Sequence, residues 1–134
     1  MTYINAPIHD LLIRIKNAYM ARKTSVEDVP FSNFKIHILE LLQQYRFIQK
    51  FDIKEEEKKK YINITLKRVI NPVDDVPNIK FFSKPSRPWY VSYKNITSVA
   101  GGKGIGIIST NQWLMPTHEA KQKKLGGELI AEIY

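Results

Sequence analysis

Residues 101–115 read GGKGIGIISTNQWLM, and the rest of the chain is interpreted around this stretch. It predicts a glycine-rich approach, a short buried strand over residues 104–109 and then a polar tip. The tip offers two hydroxyls, two amides and one indole, from Ser109, Thr110, Asn111, Gln112 and Trp113. Because no tip residue is ionisable, the tip suits hydrogen bonding and stacking better than acid–base catalysis. This pattern favours a surface that recognises folded RNA.

The composition indicates a globular and strongly basic chain. It has 134 residues, 43% of them hydrophobic, which is enough for a packed core in one domain or two small lobes. Lys plus Arg number 21 against 13 Asp plus Glu, a formal net charge of +8. Such an excess favours a polyanionic partner, either nucleic acid or an anionic membrane, although a generically basic protein is an alternative.

Several classes of protein are excluded by what the sequence lacks. There are no cysteines, so disulfides, cysteine zinc sites and thiol catalysis are excluded. No apolar run approaches the ~20 residues that span a bilayer. The first seven residues, MTYINAP, resemble neither a secretory signal nor a transit segment. We therefore expect a protein that acts where it is made, or a mature form.

The first lobe, residues 1–70, is predicted to be α-β-α-β-β. Apolar residues recur at helical spacing at Ile8, Leu11, Leu12, Ile15 and Tyr19. Pro7 is expected in the first turn of that helix, and Ser32 is expected to cap a second one. Extended segments are predicted at 24–30 and 47–53, and again at Ile62, Ile64 and Leu66. The charged run 55–60, EEEKKK, is expected to be a solvated hairpin tip.

A linker at residues 71–77, NPVDDVP, separates this lobe from a second one at residues 78–134. The second lobe is predicted to be mixed and β-rich. A helical turn is expected at 96–100, and a short helix is expected to run from a Thr117 cap to Lys124, with Gly126 ending it. A last strand is expected at Leu129, Ala131 and Ile133. The predicted fold class is therefore α/β, of the α+β type, in two small lobes.

The second lobe changes the charge pattern of the chain. Between Val76 and His118 there is no Asp or Glu, whereas five Lys and Arg residues occur. Aromatic residues are interleaved with them, namely Phe81, Phe82, Trp89, Tyr90 and Tyr93. This combination suits a surface that contacts phosphates and stacks on bases. The alternative is that the aromatic residues pack in the core, and we favour that interpretation for Phe81 and Phe82. The proline-rich segment 83–88 is expected to be rigid and extended.

Catalytic and cofactor motifs fail. The P-loop pattern is missing, and the dinucleotide pattern fails because Ile107 stands where a glycine is required. The three histidines have no metal-ligand spacing, and Ser109 lacks the Gly-x-Ser-x-Gly elbow. The basic residues do not follow one amphipathic helix, as a membrane-surface protein requires. We expect no enzyme activity, cofactor, metal, small-molecule substrate or membrane partner.

Five segments, in order, resemble a known family. They are 7–17 (PIHDLLIRIKN), 30–35 (PFSNFK) followed by Phe47-Ile48, 83–88 (SKPSRP), 104–110 (GIGIIST), and 115–130, which contains Met115, HEA and LGGELI. Their sequence and spacing are similar to the bacterial-type small-subunit ribosomal protein eight family over nearly the whole chain. Residues 68–77 fall outside the resemblance.

The resemblance implies a two-lobe protein that binds the central domain of small-subunit rRNA early in assembly. The family's main contact is a Ser-Thr-Ser loop, which Ser109 and Thr110 match. Asn111 differs at the third position, and Gln112-Trp113 replaces the family's Lys-Gly. A second departure places Trp89, Tyr90 and Val91 where the family has Gly, a variable residue and Arg. The lost Lys and Arg weaken phosphate binding, whereas the two tryptophans add stacking surface.

The predicted RNA contacts extend beyond the tip. In the second lobe they include Lys84, Ser86, Arg87, Tyr93 and Lys103. In the first lobe they are Arg14, Lys16, Asn17, Ser32 and Lys35, which face a neighbouring rRNA segment. The expected partners are the central domain of the rRNA and neighbouring small-subunit proteins. Two alternatives remain: a translational repressor that uses the same surface, and a protein–protein adaptor within a ribonucleoprotein.

The location predicted is the small ribosomal subunit. Ile, Lys, Asn and Tyr are abundant, which fits an AT-rich genome, and the altered tip fits an organelle. We therefore favour the mitochondrial matrix over the plastid stroma or the bacterial cytoplasm.

Overall fold

The computed structural model describes residues 2–70, 76–84 and 86–134, and side chains from residue 8 onward. Within these residues the chain forms three α-helices and two antiparallel sheets, which confirms the predicted α/β class. It divides into two compact units, Asp10–Pro77 and Met1–His9 with Asn78–Tyr134. The first nine residues, which the sequence assigned to the first lobe, are thus grouped with the second unit. The predicted linker residues 71–75 lie outside the described residues.

The unit Asp10–Pro77 has the predicted order of elements. They are α1 (Thr2–Met20, which continues from the other unit), β1 (Ser25–Pro30), α2 (Asn33–Gln44), β2 (Lys50–Glu56) and β3 (Lys59–Thr65). The sheet has the order β1-β3-β2, so the central strand β3 contributes buried Ile62 and Ile64. The Ser32 Oγ accepts a hydrogen bond from the Lys35 N–H at 3.5 Å, which confirms the predicted cap of α2.

Tyr19 joins α1 to two later segments of this unit. Its hydroxyl donates to the carbonyl oxygen of Phe47 at 2.6 Å and accepts from the N–H of Lys67 at 3.0 Å. Tyr19 is 1% exposed, and burial raises the pKa of its hydroxyl above the usual value, opposed by the bond from Lys67.

The charged hairpin between β2 and β3 is confirmed. Its turn residues Glu57 and Lys58 have φ of +50° and +66°, as a two-residue hairpin turn requires. Glu55 lies opposite Lys60 and Glu56 opposite Lys59.

Two local predictions in this part of the chain were wrong. Because α1 begins at Thr2, Pro7 lies inside the helix rather than in its first turn. Proline has no backbone N–H, so the helix has one hydrogen-bond donor fewer at this residue. The strand expected over 47–53 begins only at Lys50. The N–H of Phe47 instead donates to the carbonyl of Leu42 at 2.8 Å, so this residue closes the end of α2.

The second unit is built around one long strand, β8. Its elements are β4 (Ile79–Phe81), β5 (Tyr90–Val91), two 3-10 turns (Tyr93–Asn95 and Ala100–Gly102), β6 (Ile105–Thr110), β7 (Trp113–Pro116), α3 (Thr117–Gln122) and β8 (Gly127–Ile133). The sheet has the order β4-β8-β6-β7, and β5 also pairs with β8. A core cluster of Ile96, Ile108, Met115 and Ala120 joins the sheet to α3.

The helical details of this unit differ from the predictions. The helical turn expected at 96–100 was wrong, since the 3-10 turns lie to either side of it at Tyr93–Asn95 and Ala100–Gly102. Ile96 and Val99 between them are buried. Thr117 does not cap α3 but is its first residue, and its side chain lies against Gly106, where a Cβ would approach it to 2.5 Å. The helix ends at Gln122, with Lys123 as its C-cap and Lys124 at φ +57°, and so stops short of the predicted end at Lys124.

No helix among the described residues is long and apolar enough to cross a membrane.

Candidate nucleic-acid interface

The polar tip is the β6–β7 hairpin, and Thr110 holds its turn together. Thr110 lies opposite Trp113 in the register, with Asn111 and Gln112 as the turn residues. The Thr110 Oγ1 accepts a hydrogen bond from the N–H of Gln112 at 3.1 Å and donates one to the carbonyl oxygen of Trp113 at 3.0 Å. Thr110 therefore shapes the turn from which the exposed amides of Asn111 and Gln112 project.

Trp113 has an unusual backbone conformation for its residue type. Its φ is +110°, in the region that favours glycine, and its side chain is 45% exposed. A non-glycine residue in a sparsely populated region costs on the order of 1–3 kcal/mol and persists only where the surroundings impose it. The two bonds of Thr110 are part of those surroundings. Trp113 therefore places a large ring on the tip at an energetic cost.

Ser109 is placed by the strand next to it. It lies opposite Leu114 on one side and Glu128 on the other, and it is half-buried. Gly127 permits this approach, since a Cβ there would collide with the carbonyl oxygen of Ser109. Glu128 also lies opposite Tyr90, so β8 separates Ser109 from Tyr90 at the same end of the sheet. Two strand spacings place their Cα atoms about 10 Å apart.

Two acidic residues of β8 therefore lie beside the segment between Val76 and His118, which itself contains no Asp or Glu. Glu128 is 4% exposed and pairs with Ser109, and Glu132 pairs with Lys80 and Gly106. The sequence could not reveal this, because the acidic residues follow the basic segment along the chain and reach it only through strand pairing.

The loop that carries Lys84, Ser86 and Arg87 is closed rather than extended. Lys84 and Arg87 exchange two backbone hydrogen bonds, with N···O distances of 3.1 and 2.9 Å, so the extended course predicted for 83–88 was wrong at these residues. Pro85 of that segment lies outside the described residues. Buried Ser83 supports the loop, because its Oγ accepts the N–H of Trp89 at 2.7 Å. All three predicted contact residues are exposed.

The aromatic residues of this unit fall into two groups. Trp89 and Tyr90 are 53% and 66% exposed, whereas Phe81 and Phe82 are half-buried. The ring of Phe82 lies 6.1 Å from that of Trp89, with the Lys80 Nζ 5.1 Å from the Phe82 ring. Tyr93, a predicted contact, packs against the core cluster, while Lys103 is exposed at the end of the second 3-10 turn.

The predicted contacts of the first lobe lie in the unit Asp10–Pro77. The Arg14 Nη2 donates to the carbonyl oxygen of Glu27 at 2.9 Å, and the Lys35 Nζ donates to that of Pro30 at 3.0 Å. Burial lowers the pKa of Lys35, nearby Arg14 lowers it further, and Asp10 opposes both. Lys35 is thus a partly desolvated cation beside the exposed Arg14, and an anion would stabilise both charges.

The remaining first-lobe residues differ in how accessible they are. Asn17 is exposed and lines a groove of about 430 Å³ together with Arg14. Lys16 is half-buried, and the hydroxyl of Ser32 is already engaged in capping α2. No group of three or more potential metal ligands occurs in the described part of the chain.

Comparison with known proteins gives the class as a ribosomal protein. The family model of ribosomal protein S8 matches residues 6–134. The chain is 41% identical over 128 residues to small ribosomal subunit protein uS8 of Lactobacillus delbrueckii subsp. bulgaricus, covering 96% of each chain. It is also 41% identical to the uS8 protein of Dictyoglomus turgidum over 98% of each chain, and 39% identical to that of Mycoplasma mobile over 98% of this chain and 97% of that one.

The chain therefore belongs to the ribosomal protein S8 family. This confirms the resemblance inferred from the sequence. The family consists of structural ribosomal proteins, so the prediction that the chain is not an enzyme is confirmed as well.

Proposed function

We propose that the chain is a structural component of the small ribosomal subunit that binds the central domain of the rRNA and assists its assembly. The observation that carries this proposal is the β6–β7 tip, an exposed and uncharged hydrogen-bonding surface on a chain of formal charge +8. The relatives named small ribosomal subunit protein uS8 support it.

The chemistry of the tip suits irregular RNA. The major groove of an RNA helix is too deep and narrow for side chains, so proteins recognise the minor groove, 2′-hydroxyls and displaced bases. Such contacts need neutral donors and acceptors on a fixed support. Ser109, Asn111 and Gln112 provide them, and the two bonds of Thr110 fix the turn. Trp113 offers a ring on which a displaced base stacks.

The charged residues contact phosphates rather than bases. Lys84, Arg87 and Lys103 are exposed in the unit that carries the tip, and their charges position phosphates without reading sequence. In the other unit, Arg14 and Lys35 supply a second phosphate site for a neighbouring rRNA segment, together with Lys16, Asn17 and Ser32.

Two other functions use the same surfaces. A translational repressor would bind a messenger RNA through the tip, and competition between messenger and rRNA fragments separates this function from rRNA binding. A protein–protein adaptor would use exposed Trp89 and Tyr90, and its binding to a protein partner would persist at salt concentrations that abolish RNA binding. Contacts with neighbouring small-subunit proteins form part of the proposal.

The cellular compartment of this ribosome is a separate question from membership of the small subunit. The mitochondrial matrix was predicted from composition and from the altered tip. The relatives compared are bacterial and do not favour a mitochondrion over a bacterial cytoplasm. Fractionation of the source cells, with detection of the chain in purified small subunits, decides both questions.

A binding experiment tests the proposed function directly. The chain is titrated by filter binding, at one fixed salt concentration, with a central-domain fragment of its own rRNA and with a fragment of equal length from another domain. We expect at least about tenfold tighter binding to the central domain, which corresponds to about 1.4 kcal/mol. Equal affinity for both fragments would overturn the proposal.

A further inference from the structure

A second basic groove lies in the unit Asp10–Pro77, outside the residues predicted as contacts. Its volume is about 570 Å³. Four cations line it, Arg22, Lys23, Lys67 and Arg68, and no Asp or Glu is among its described lining residues. A concave surface lined by one sign of charge concentrates counter-ions of the opposite sign.

The backbone holds these cations in place from two distant parts of the chain. After α1 ends, the N–H of Arg22 donates to the carbonyl of Tyr19, and the N–H of Lys23 to that of Ala18. The N–H of Lys67 donates to the hydroxyl of the same Tyr19. One buried residue therefore fixes both walls of the groove.

The groove is continuous with the predicted first-lobe contacts. Lys23 lines it and also lines the groove that contains Arg14 and Asn17. The result is a basic track from Arg14 through Lys23 to Arg68. The neighbouring groove does contain one acidic residue, Glu27, whose carbonyl oxygen accepts from Arg14.

We propose that this basic track binds the sugar–phosphate backbone of an RNA segment, and that Arg22, Lys67 and Arg68 belong to the binding surface. The proposal rests on the proposed function and adds a phosphate site to it. Neutral donors, Thr24 and Gln49, line the groove beside the cations, which suits phosphate oxygens and 2′-hydroxyls.

The lining distinguishes RNA from other anionic partners. The centres of protein–protein interfaces are enriched in aromatic residues and depleted in Lys, whereas the described lining residues of this groove include two lysines and no aromatic residue. Membrane-surface binding uses cations spread along one amphipathic helix, and these cations come instead from the ends of α1 and β3.

The test is the salt dependence of binding to full-length small-subunit rRNA. The double variant Lys67→Gln with Arg68→Gln is compared with Lys58→Gln with Lys59→Gln, which removes the same charge from the exposed hairpin of the same unit. The slope of log affinity against log salt is negative, and each lost phosphate contact makes it shallower by about 0.7–0.9. We expect the groove variant to lose about 1.5 in slope and at least about tenfold in affinity, with the hairpin variant within about twofold of the wild type. Thermal unfolding of both variants verifies that they are folded.

The outcomes separate this proposal from the function on which it rests. If both double variants keep the wild-type slope, or lose it equally, while central-domain preference persists, only the groove proposal is overturned. If central-domain preference is absent as well, the proposed function fails. Polyglutamate serves as an acidic-protein probe. If its binding depends on Lys67 and Arg68 while rRNA binding does not, the groove binds acidic protein and the proposal is overturned.

Discussion

Replacing Thr110 with Ala tests the role of the β6–β7 tip. The change removes one hydrogen bond to the N–H of Gln112 and one to the carbonyl oxygen of Trp113. A net hydrogen bond contributes about 0.5–1.5 kcal/mol, and both bonds are exposed, so water replaces part of their contribution. We expect the tip to be destabilised by about 1 kcal/mol, with little change in global stability because the turn lies outside the core.

The effect on RNA binding should be larger than a single lost contact implies. Without Thr110 the positive φ of Trp113 loses part of its support, so binding must reorder the turn as well as form contacts. We expect Thr110→Ala to weaken binding to the central-domain fragment by about fivefold to tenfold, or about 1–1.4 kcal/mol. Filter binding at fixed salt measures the affinity, and urea unfolding measures the stability.

Two matched variants make this test specific. Thr110→Ser keeps the hydroxyl and should bind within about twofold of the wild type, because both hydrogen bonds can form. Thr97→Ala alters an exposed threonine of the same unit that is far from the tip in sequence, and it should have no effect. Wild-type affinity in Thr110→Ala, or an equal loss in Thr110→Ser, would refute the assignment of the hydroxyl.

Three further variants probe the supports of the two units. Trp113→Gly should leave the free energy of unfolding unchanged or raise it by up to about 1 kcal/mol, because glycine adopts φ of +110° without strain. It should weaken RNA binding by about 1–3 kcal/mol through the loss of base stacking. Losses of both stability and RNA affinity would contradict this expectation. Tyr19→Phe should cost about 2 kcal/mol of stability at pH 7, measured by urea unfolding, because two buried groups lose their partner. Because burial raises the pKa of Tyr19 in the folded state, the neutral hydroxyl stabilises the fold fully below pH ~10, and this stabilisation is lost as pH rises through the folded pKa. The difference in unfolding free energy between the wild type and Tyr19→Phe should therefore narrow above pH ~10. A difference that stays constant with pH would argue against the burial effect. Ser83→Ala should destabilise the fold by about 1–2 kcal/mol by leaving the N–H of Trp89 without its acceptor, and Ser83→Thr serves as the control that keeps a hydroxyl; equal stability of all three proteins would exclude this support.

The sequence predicted those features that depend on local patterns. Apolar spacing revealed both long helices, Ser32 revealed the start of α2, and the charged run revealed the β2–β3 hairpin. Predictions from local residue types were wrong where tertiary packing determines the conformation. Thr117 is a common capping type, but its side chain lies against Gly106, and packing of that kind is not visible in a local window.

The tip was predicted only in part, for a similar reason. Its residue types were evident, and so was its position after a buried strand. The sequence did not reveal that the hydroxyl of Thr110 is used within the turn, because this requires the register that places Thr110 opposite Trp113. The groove formed by Arg22 and Lys67 was missed altogether, since its two walls are far apart along the chain and join only through Tyr19.

The energetic positions of Thr110 and Trp113 are best understood together. A tryptophan at φ +110° carries backbone strain on the order of 1–3 kcal/mol, and nearly half of its surface is exposed. A glycine at this position would remove the strain. Base stacking of about 1–3 kcal/mol is of the size that offsets the strain. A double-mutant cycle of Thr110→Ala and Trp113→Gly measures this link. We expect the two losses of RNA affinity to be non-additive by at least about 0.5 kcal/mol, because without the strained tryptophan the turn has less need of the Thr110 hydroxyl.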